Sequence, residues 1–464
     1  MAKMLNSLLS LAALLTTAFA VNPIEIVNNK FYDSVTHKQF YIIGVDYQPG
    51  GSSGVGTGSD PLSDPTQCLR DFALLQKLGV NTIRVYSVDN TLDHDYCMSL
   101  LDTAGMYLLL DVNTPLSSQS LNRYEPNTTW TADYYSHIYS TIDAFKAYEN
   151  VLGFFSGNEV VNDAASLAAC PGYLRALQRD MKAYIKKTAN RIIPVGYSTA
   201  DDATIRSELG SYLTCGDDAS AADFYGINTY EWCGDSSFTS SGYSTLTSAF
   251  ANFSVPIFFS EYGCNTVSPR TFTEVTALYG DQMNEVFSGG LIYEYNEEDN
   301  NYGLVNTGGD SAQLLQDYVN LQSAYTNLSI PNITLSSTTA TTTLPSCSGL
   351  NLDNWTIPAA PSGAPTAGAG NYGTLIELTA EELVVNSTVT DVSGNVISGL
   401  SVTAVGRAVS GSVSGTKSAS ASATGGEGKS GNGTTTVSEA VGMGVGVGMG
   451  MAVLAAVGAV VVVL

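Results

Sequence analysis

Between residues 40 and 325 the chain alternates short apolar runs with helix-patterned stretches, eight times over. The apolar runs occupy 40–48, 81–88, 106–113, 151–159, 192–201, 222–232, 255–263 and 290–296. Helical patterns lie between most of them, at 64–78, 93–104, 133–148, 173–190 and 273–279. The runs are mostly apolar throughout rather than alternating, so both of their faces are buried, as in a parallel sheet covered by helices. Eight strand–helix units in roughly 290 residues match the size of an α/β (β/α)8 TIM barrel. A doubly wound open sheet is the alternative, but no G-x-G-x-x-G sequence opens a helix after the first run. The expected fold is the barrel.

The character of the chain changes near residue 330. Residues 336–343 are nearly all Ser and Thr, 358–370 mostly Ala, Pro and Gly, and 410–433 largely Ser, Gly and Ala. Beyond Trp355 the only aromatic residue is Tyr372, so little is left with which to build a core. This region is expected to be a low-complexity, largely extended and O-glycosylated stalk, although 375–385 and 389–402 have the pattern of a small β-element. Cys347 is the last cysteine, so no disulfide-knit binding module is expected after the barrel.

Both ends resemble processing signals. A basic start, an apolar stretch from Met4 to Ala20 and the close Ala18-Phe19-Ala20 describe a secretory signal peptide. Residues 440–464 carry no charge and follow a cluster of small residues, 430–433, and a polar stretch, 434–439. That order is expected of a GPI-attachment signal, with Asn432 the favoured attachment site and a Gly-rich tail-anchored helix the alternative. The expected organisation is therefore signal peptide 1–20, barrel 21–347, stalk 348–433 and removed tail 434–464. The mature protein is expected to be secreted and held at the outer face of the plasma membrane, or in the cell wall.

The formal net charge is −24, with only 19 Lys and Arg in 464 residues, which argues against a nucleic-acid partner. An acidic surface suits neutral ligands such as sugars, and the protein is expected to be a monomer. Asn-x-Ser/Thr sequons at Asn127, Asn252, Asn327, Asn332, Asn354 and Asn386 are consistent with secretion. Seven cysteines in a secreted chain imply disulfides with one thiol left over. Their spacing matches no zinc motif, and His37, His94 and His137 show no metal spacing, so neither metal nor cofactor is expected.

The candidate chemistry sits where the strands end, because functional side chains of such barrels gather at the C-terminal face. Glu159 closes the run 151–159, beside Asn158, and Glu261 closes 255–261, beside Tyr262. One strand-end Glu is as easily a salt-bridged structural residue as a catalytic one. Two of them supply the carboxylate pair of a glycosidase, one acid/base and one nucleophile or second base. The other strand ends bring Asp46, Tyr47 and Gln48; Arg84 and Tyr86; Asp111 and Asn113; Tyr197 and Asp201; Asn228 and Tyr230; and Tyr293, Glu294 and Tyr295. Any one of these tyrosines is most simply core packing, but as a set they suit sugars, since rings stack on pyranose faces and amides pair with hydroxyls. The glycine-rich stretch 50–58 has neither a following Lys nor a helix opening on it, so it reads as an active-site loop rather than a phosphate cradle.

Four segments together resemble one family: 40–52 (FYIIGVDYQPGGS), 81–87 (NTIRVYS), 155–159 (FSGNE) and 259–264 (FSEYGC). They are similar to the fungal GPI-anchored β-1,3-glucanosyltransferases of glycoside hydrolase family 72, over roughly residues 22–347 and the anchored stalk. The resemblance implies Glu159 as acid/base and Glu261 as nucleophile in a retaining double displacement. It implies Gln48, Tyr86, Asp111, Asn158, Asp201, Arg206, Tyr230 and Tyr293 as sugar contacts, with Tyr86, Asp201, Arg206, Tyr230 and Tyr293 assigned together to an acceptor-side groove. It also implies the pairs Cys68–Cys97, Cys215–Cys347 and Cys233–Cys264, leaving Cys170 unpaired. Some family members carry a Cys-rich carbohydrate-binding module after the barrel, which this chain lacks. The partners implied are β-1,3-glucan donor and acceptor chains, and the membrane through the anchor. Two alternatives stand beside the transferase: an endo-β-1,3-glucanase, and a non-catalytic GPI-anchored wall protein.

Overall fold

The computed structural model describes residues 21–336, 343–348, 350, 355–370 and 373–406. Eight parallel strands close into a barrel: β1 (Ile42–Asp46), β2 (Thr82–Val85), β3 (Tyr107–Asp111), β4 (Val151–Asn158), β5 (Val195–Ala200), β6 (Phe224–Cys233), β7 (Ile257–Cys264) and β8 (Phe287–Ile292). Strand β8 pairs with β1 and completes the ring. Gly289 has φ +87° and lies so close to the Ile42 carbonyl that a Cβ would collide with it, so closure requires glycine there.

One main helix follows each strand: α1 (Pro65–Leu78), α2 (Asp95–Ala104), α3 (Ala132–Phe145), α4 (Pro171–Thr188), α5 (Arg206–Leu213), α6 (Tyr243–Phe250), α7 (Glu274–Tyr279) and α8 (Gln316–Thr326). The start of α1 is written locally. The Asp64 carboxylate accepts from the Thr66 and Gln67 amides, and Pro65 occupies the first helical turn. Helices α5, α6 and α8 carry no helical pattern recognised in the sequence. Gly210 interrupts α5, and α6 reads YSTLTSAF, so packing against the barrel rather than propensity makes them helical.

The two ends of the barrel differ. At the N-terminal end, a hairpin of Ile24–Val27 and Lys30–Asp33 inserts Phe31 among Phe224 and Phe258, with Phe155 against the same pair. That end is a sealed apolar plug. Polar side chains are left to gather at the opposite, C-terminal end, where the loops are free to form a cleft.

The disulfides are Cys68–Cys97, joining α1 to α2; Cys215–Cys347, tying the post-barrel chain to the loop after α5; and Cys233–Cys264, joining the ends of β6 and β7. Cys170 is a buried free thiol.

The described part of the expected stalk does not stand away from the barrel. Trp355 packs on Tyr212 and donates to the Leu167 carbonyl; farther on, the Gly368 amide donates to the Tyr184 hydroxyl and the Val405 amide to the Thr103 carbonyl. A side chain at Gly370 or Gly373 would run into the Ser140 carbonyl or the Tyr148 ring. The segment lacks bulky residues because it lies directly on helix backbone, and its low complexity here reflects close approach as well as poor core-forming power. The proposed signal peptide, Asn354, Asn432 and the tail 434–464 lie outside the described residues. Among the described residues no helix is long and apolar enough to cross a membrane.

Candidate active site

Arg84, on β2, is the hub of the cleft floor. It is fully buried, and all five of its N–H groups are engaged. Nε donates to Asp111 Oδ2 (2.8 Å), and Nη2 to Asp111 Oδ1 (3.1 Å) and Asn158 Oδ1 (3.0 Å). Nη1 donates to the Ser260 carbonyl (3.2 Å) and to Glu261 Oε1 (3.3 Å). A buried guanidinium needs this degree of pairing, because desolvating it unpaired would cost several kcal/mol.

Glu261, on β7, receives two further donors. The Tyr86 hydroxyl reaches Oε1 at 2.9 Å and the Tyr230 hydroxyl reaches Oε2 at 2.8 Å. Burial pushes its carboxyl up to about 7, opposed by the Arg84 charge and the two phenols and reinforced by Glu159. The donors select the anion, while burial and the neighbouring carboxylate resist it.

Glu159 directly follows β4. Its φ is +46°, an uncommon conformation for a residue other than glycine. Its amide donates to the Ser198 carbonyl (2.9 Å). Its Oε1 accepts from Asn228 Nδ2 (2.8 Å), which also donates to Asn158 Oδ1 (3.0 Å). The Asn228 carbonyl oxygen in turn accepts from the Ser198 and Ser260 hydroxyls at 2.9 and 2.8 Å. Asn228 is therefore locked in one orientation, and it locks Glu159 and Asn158. With two donors on its oxygen, the Asn158 amide has its NH2 left for the cleft that Tyr86, Asp111 and Asn158 line.

The remaining expected contacts divide into groups. Gln48 uses both ends of its amide on residues 86 and 87: Oε1 accepts from both backbone amides, and Nε2 donates to the Ser87 carbonyl and hydroxyl. It thereby fixes Tyr86 against Glu261. Both oxygens of Asp111 are held by Arg84. Asp201 and Arg206 pair with each other, and Arg206 also reaches Glu231 at 3.2 Å. Tyr86 and Tyr230, grouped by sequence on the acceptor side, sit on the Glu261 carboxylate itself, so their hydroxyls belong to the charge arrangement of the pair. Tyr293 packs edge-on against Tyr86, Tyr230 and Tyr302, with centroids 6.4, 6.3 and 5.3 Å apart.

Other residues belong to the site without having been assigned a role. Asp46 lies at the end of β1, fully buried, with no hydrogen-bond partner on either carboxylate oxygen. Burial holds it well above the usual carboxylate range against the pull of Arg84. Glu294 is pushed up to about 8 by burial, with Asn300 opposing. Arg84, Asp46, Asn228 and Glu294 were visible as strand-end polar residues, but only closure of the barrel gives Arg84 and Asn228 their partners. Tyr302 lies in the loop after β8, where no periodicity marks it. Among the described residues no cluster of His, Cys, Asp or Glu is arranged to hold a metal ion.

Chemically, one carboxylate is provided with a cation and two phenols that stabilise its charge, and the other faces it with a single neutral amide donor. That asymmetry suits displacement at an acetal carbon by one carboxylate, with proton transfer by the other.

Comparison with known proteins agrees with this assignment of chemistry. The glycoside hydrolase family 72 model, described as glucanosyltransferase, matches residues 13–329. The 1,3-beta-glucanosyltransferase gel2 of Aspergillus fumigatus is 48% identical over 383 residues, 80% of either chain. The 1,3-beta-glucanosyltransferase GAS4 of Saccharomyces cerevisiae is 50% identical over 333 residues, 71% of either chain. Among solved structures, a mutant of Saccharomyces cerevisiae Gas2p in complex with laminaritetraose and laminaripentaose aligns with TM-score 0.67 and 44% identity, covering 74% of this chain and 75% of that one.

Proposed function

Because the chain belongs to the glucanosyltransferases of glycoside hydrolase family 72, we propose that it cuts a β-1,3-glucan internally and passes the new reducing end to the non-reducing end of another glucan. It is an enzyme of the 1,3-β-glucanosyltransferase class. The observation that carries the mechanism is the environment of Glu261, whose carboxylate takes donors from Arg84, Tyr86 and Tyr230 while Glu159 stands apart under Asn228.

In the first half-reaction a Glu261 oxygen attacks the anomeric carbon. The bond to the leaving glucan breaks, and the Glu159 proton passes to its oxygen. A glycosyl ester on Glu261 results. In the second half-reaction Glu159 takes the proton from an acceptor 3-hydroxyl, whose oxygen attacks the anomeric carbon and releases Glu261. Two displacements retain the configuration. The acceptor must outcompete water, which it does only if bound and oriented so that its hydroxyl has a large effective concentration. The Tyr293 and Tyr302 rings and the Asp201–Arg206–Glu231 cluster are assigned to holding the glucan, and the Asn158 NH2 to a sugar hydroxyl.

The test is the product distribution from a laminari-oligosaccharide of defined length. A glucanosyltransferase gives products longer than the starting chain; an endo-glucanase gives shorter ones alone; a non-catalytic wall protein gives none. Glu261→Gln should abolish both cleavage and transfer. Glu159→Gln should lose activity on glucan and recover part of it on a substrate with an activated leaving group, which needs no proton.

Attachment to the outer face of the plasma membrane through a GPI anchor at Asn432, in a monomeric protein, is proposed from the small, polar and apolar order of residues 430–464. Release of the protein from cells by a phosphatidylinositol-specific phospholipase C tests it, and an unchanged membrane fraction refutes it.

A further inference from the structure

The loop that carries Tyr293 and Tyr302 is built into a small sheet outside the barrel. From β8 the chain runs through Tyr293 and Tyr302 and enters the hairpin Val305–Gly308 and Ser311–Leu314. Loop and hairpin are one hydrogen-bonded unit: the Leu304 amide donates to the Glu294 carbonyl (3.1 Å), the Val305 amide to the Tyr295 carbonyl (2.9 Å), and the Glu297 amide to the Val305 carbonyl (2.8 Å). On the barrel side the hairpin is held by buried Arg70. Its Nη1 donates to the Gly309 carbonyl (2.7 Å), and its Nε donates to Asp71, which also accepts the Tyr295 hydroxyl.

The outer edge of the hairpin is covered by the chain far beyond the barrel. Val389–Thr390 pairs in parallel with it, Ala312 against Val389 and Gln313 against Thr390. The Ala312 amide donates to the Thr388 carbonyl at 3.0 Å, and Val389 is 1% exposed. A lone two-stranded hairpin is marginal in water, whereas a third strand with a buried side makes a stable sheet and closes an open edge. The family match ends at residue 329, so the covering strand lies outside it.

We propose that Thr388, Val389 and Thr390 are positioning residues for the glucanosyl transfer: they complete the sheet that holds the Tyr293–Tyr302 loop over Glu261, and so bias the glycosyl-enzyme toward a glucan acceptor rather than water. The assignment rests on the transferase reading above. Arg270 clamps the Tyr293 and Tyr302 carbonyls from the barrel side, so loosening the strand removes one of the loop's two supports. That weakens orientation of the acceptor far more than the attack of Glu261, whose donors come from β2 and residues 86 and 230. Small misplacements of a bound reactant carry large rate costs.

The experiment uses the full chain with Val389→Ala and Val389→Asp, and Ile192→Asp as an exposed control away from this sheet. Hydrogen exchange at 311–314 and 388–390 reports docking; laminari-oligosaccharide products report transfer against hydrolysis, with the oligosaccharide KM measured alongside. Both Val389 variants should lose protection at 311–314, raise the hydrolysis-to-transfer ratio by roughly threefold to tenfold and raise KM, with total cleavage within about twofold of the parent. The control should match the parent. If Val389→Asp does not fold, Val389→Ala decides. Protection that persists in Val389→Ala overturns the proposal, as does lost protection with ratio and KM unchanged. A parent that only hydrolyses refutes the transferase reading instead, and the KM comparison still tests the role of the strand.

Discussion

Replacing Tyr230 with Phe removes one oxygen atom that lies 2.8 Å from Glu261 Oε2 and leaves the ring, whose edge-on packing with Tyr293 and Tyr302 needs no hydroxyl. A hydrogen bond to a charged group is worth about 1.5–3 kcal/mol. The Tyr230 hydroxyl stabilises the anion of Glu261 and lowers its pKa, working against the burial that pushes the carboxyl up to about 7. At 1.36 kcal/mol per pKa unit, losing the bond raises the carboxyl by a further one to two units, roughly. In the proposed mechanism Glu261 attacks only as the anion, so the acid limb of kcat/KM should move to higher pH by the same amount. Just below the parent limb, the variant should be slower by about ten- to a hundredfold, a gap that narrows as pH rises and both proteins ionise. The assay is kcat/KM for cleavage of a laminari-oligosaccharide from about pH 4 to 9. A lowered plateau with an unmoved acid limb would place the hydroxyl on the substrate instead, and the reasoning here would fail.

Glu274, 4% exposed at the start of α7, is pushed up by burial from 4.5 to about 7. As pH rises through that window the unfolded chain loses its proton first, so this contribution to stability is full below about pH 4.5, falls between there and about 7, and levels off once both states are ionised. Glu274→Gln should remove about 3 kcal/mol of that decline, seen as a flatter plot of denaturation free energy against pH; parallel plots would refute it. Breaking the disulfide by Cys347→Ser opens a loop of 132 residues and should cost at most about 5 kcal/mol in urea unfolding, and a loss under about 1 kcal/mol would mean the post-barrel chain is held by its other contacts alone. Asn228→Ala frees Glu159 and Asn158 together, so kcat/KM should fall by about a hundredfold; an effect below about fivefold would show that the two side chains hold their places without it.

The groups that line the candidate site were readable in the sequence, for a simple reason. A strand buried on both faces announces itself as an unbroken apolar run, and a Glu that ends such a run stands out against it. Glu159 and Glu261 are singled out in this way, as are Asn158, Arg84 and Asn228, and the fold brings all five together. Their connections were not readable. Gln48 was expected on sugar and is bound to the backbone of residues 86 and 87; Tyr86 and Tyr230 were expected along a groove and bind Glu261. Tyr302 follows no pattern at all, and its place beside Tyr293 comes from a loop anchored by Arg270, which donates to the carbonyls of both residues.

The same division runs through the fold. Barrel class and strand order follow from apolar periodicity and from the single closed arrangement that eight strand–helix units favour, both of which are properties of the chain taken a few residues at a time. The helices at 206–213 and 243–250, and the docking of 355–405, do not follow from it. Gly210 breaks the first of these helices, Ser and Thr dilute the second, and the docked segment is rich in small residues, so all three are ordered by surfaces contributed from elsewhere. The cleft is the extreme case. Arg84 and Glu261 are 177 positions apart, and closure of the ring alone brings guanidinium and carboxylate within 3.3 Å. Sequence supplied the chemical groups at the strand ends; tertiary structure chose their partners, because a hydrogen bond depends on distance and direction between atoms that local pattern never compares.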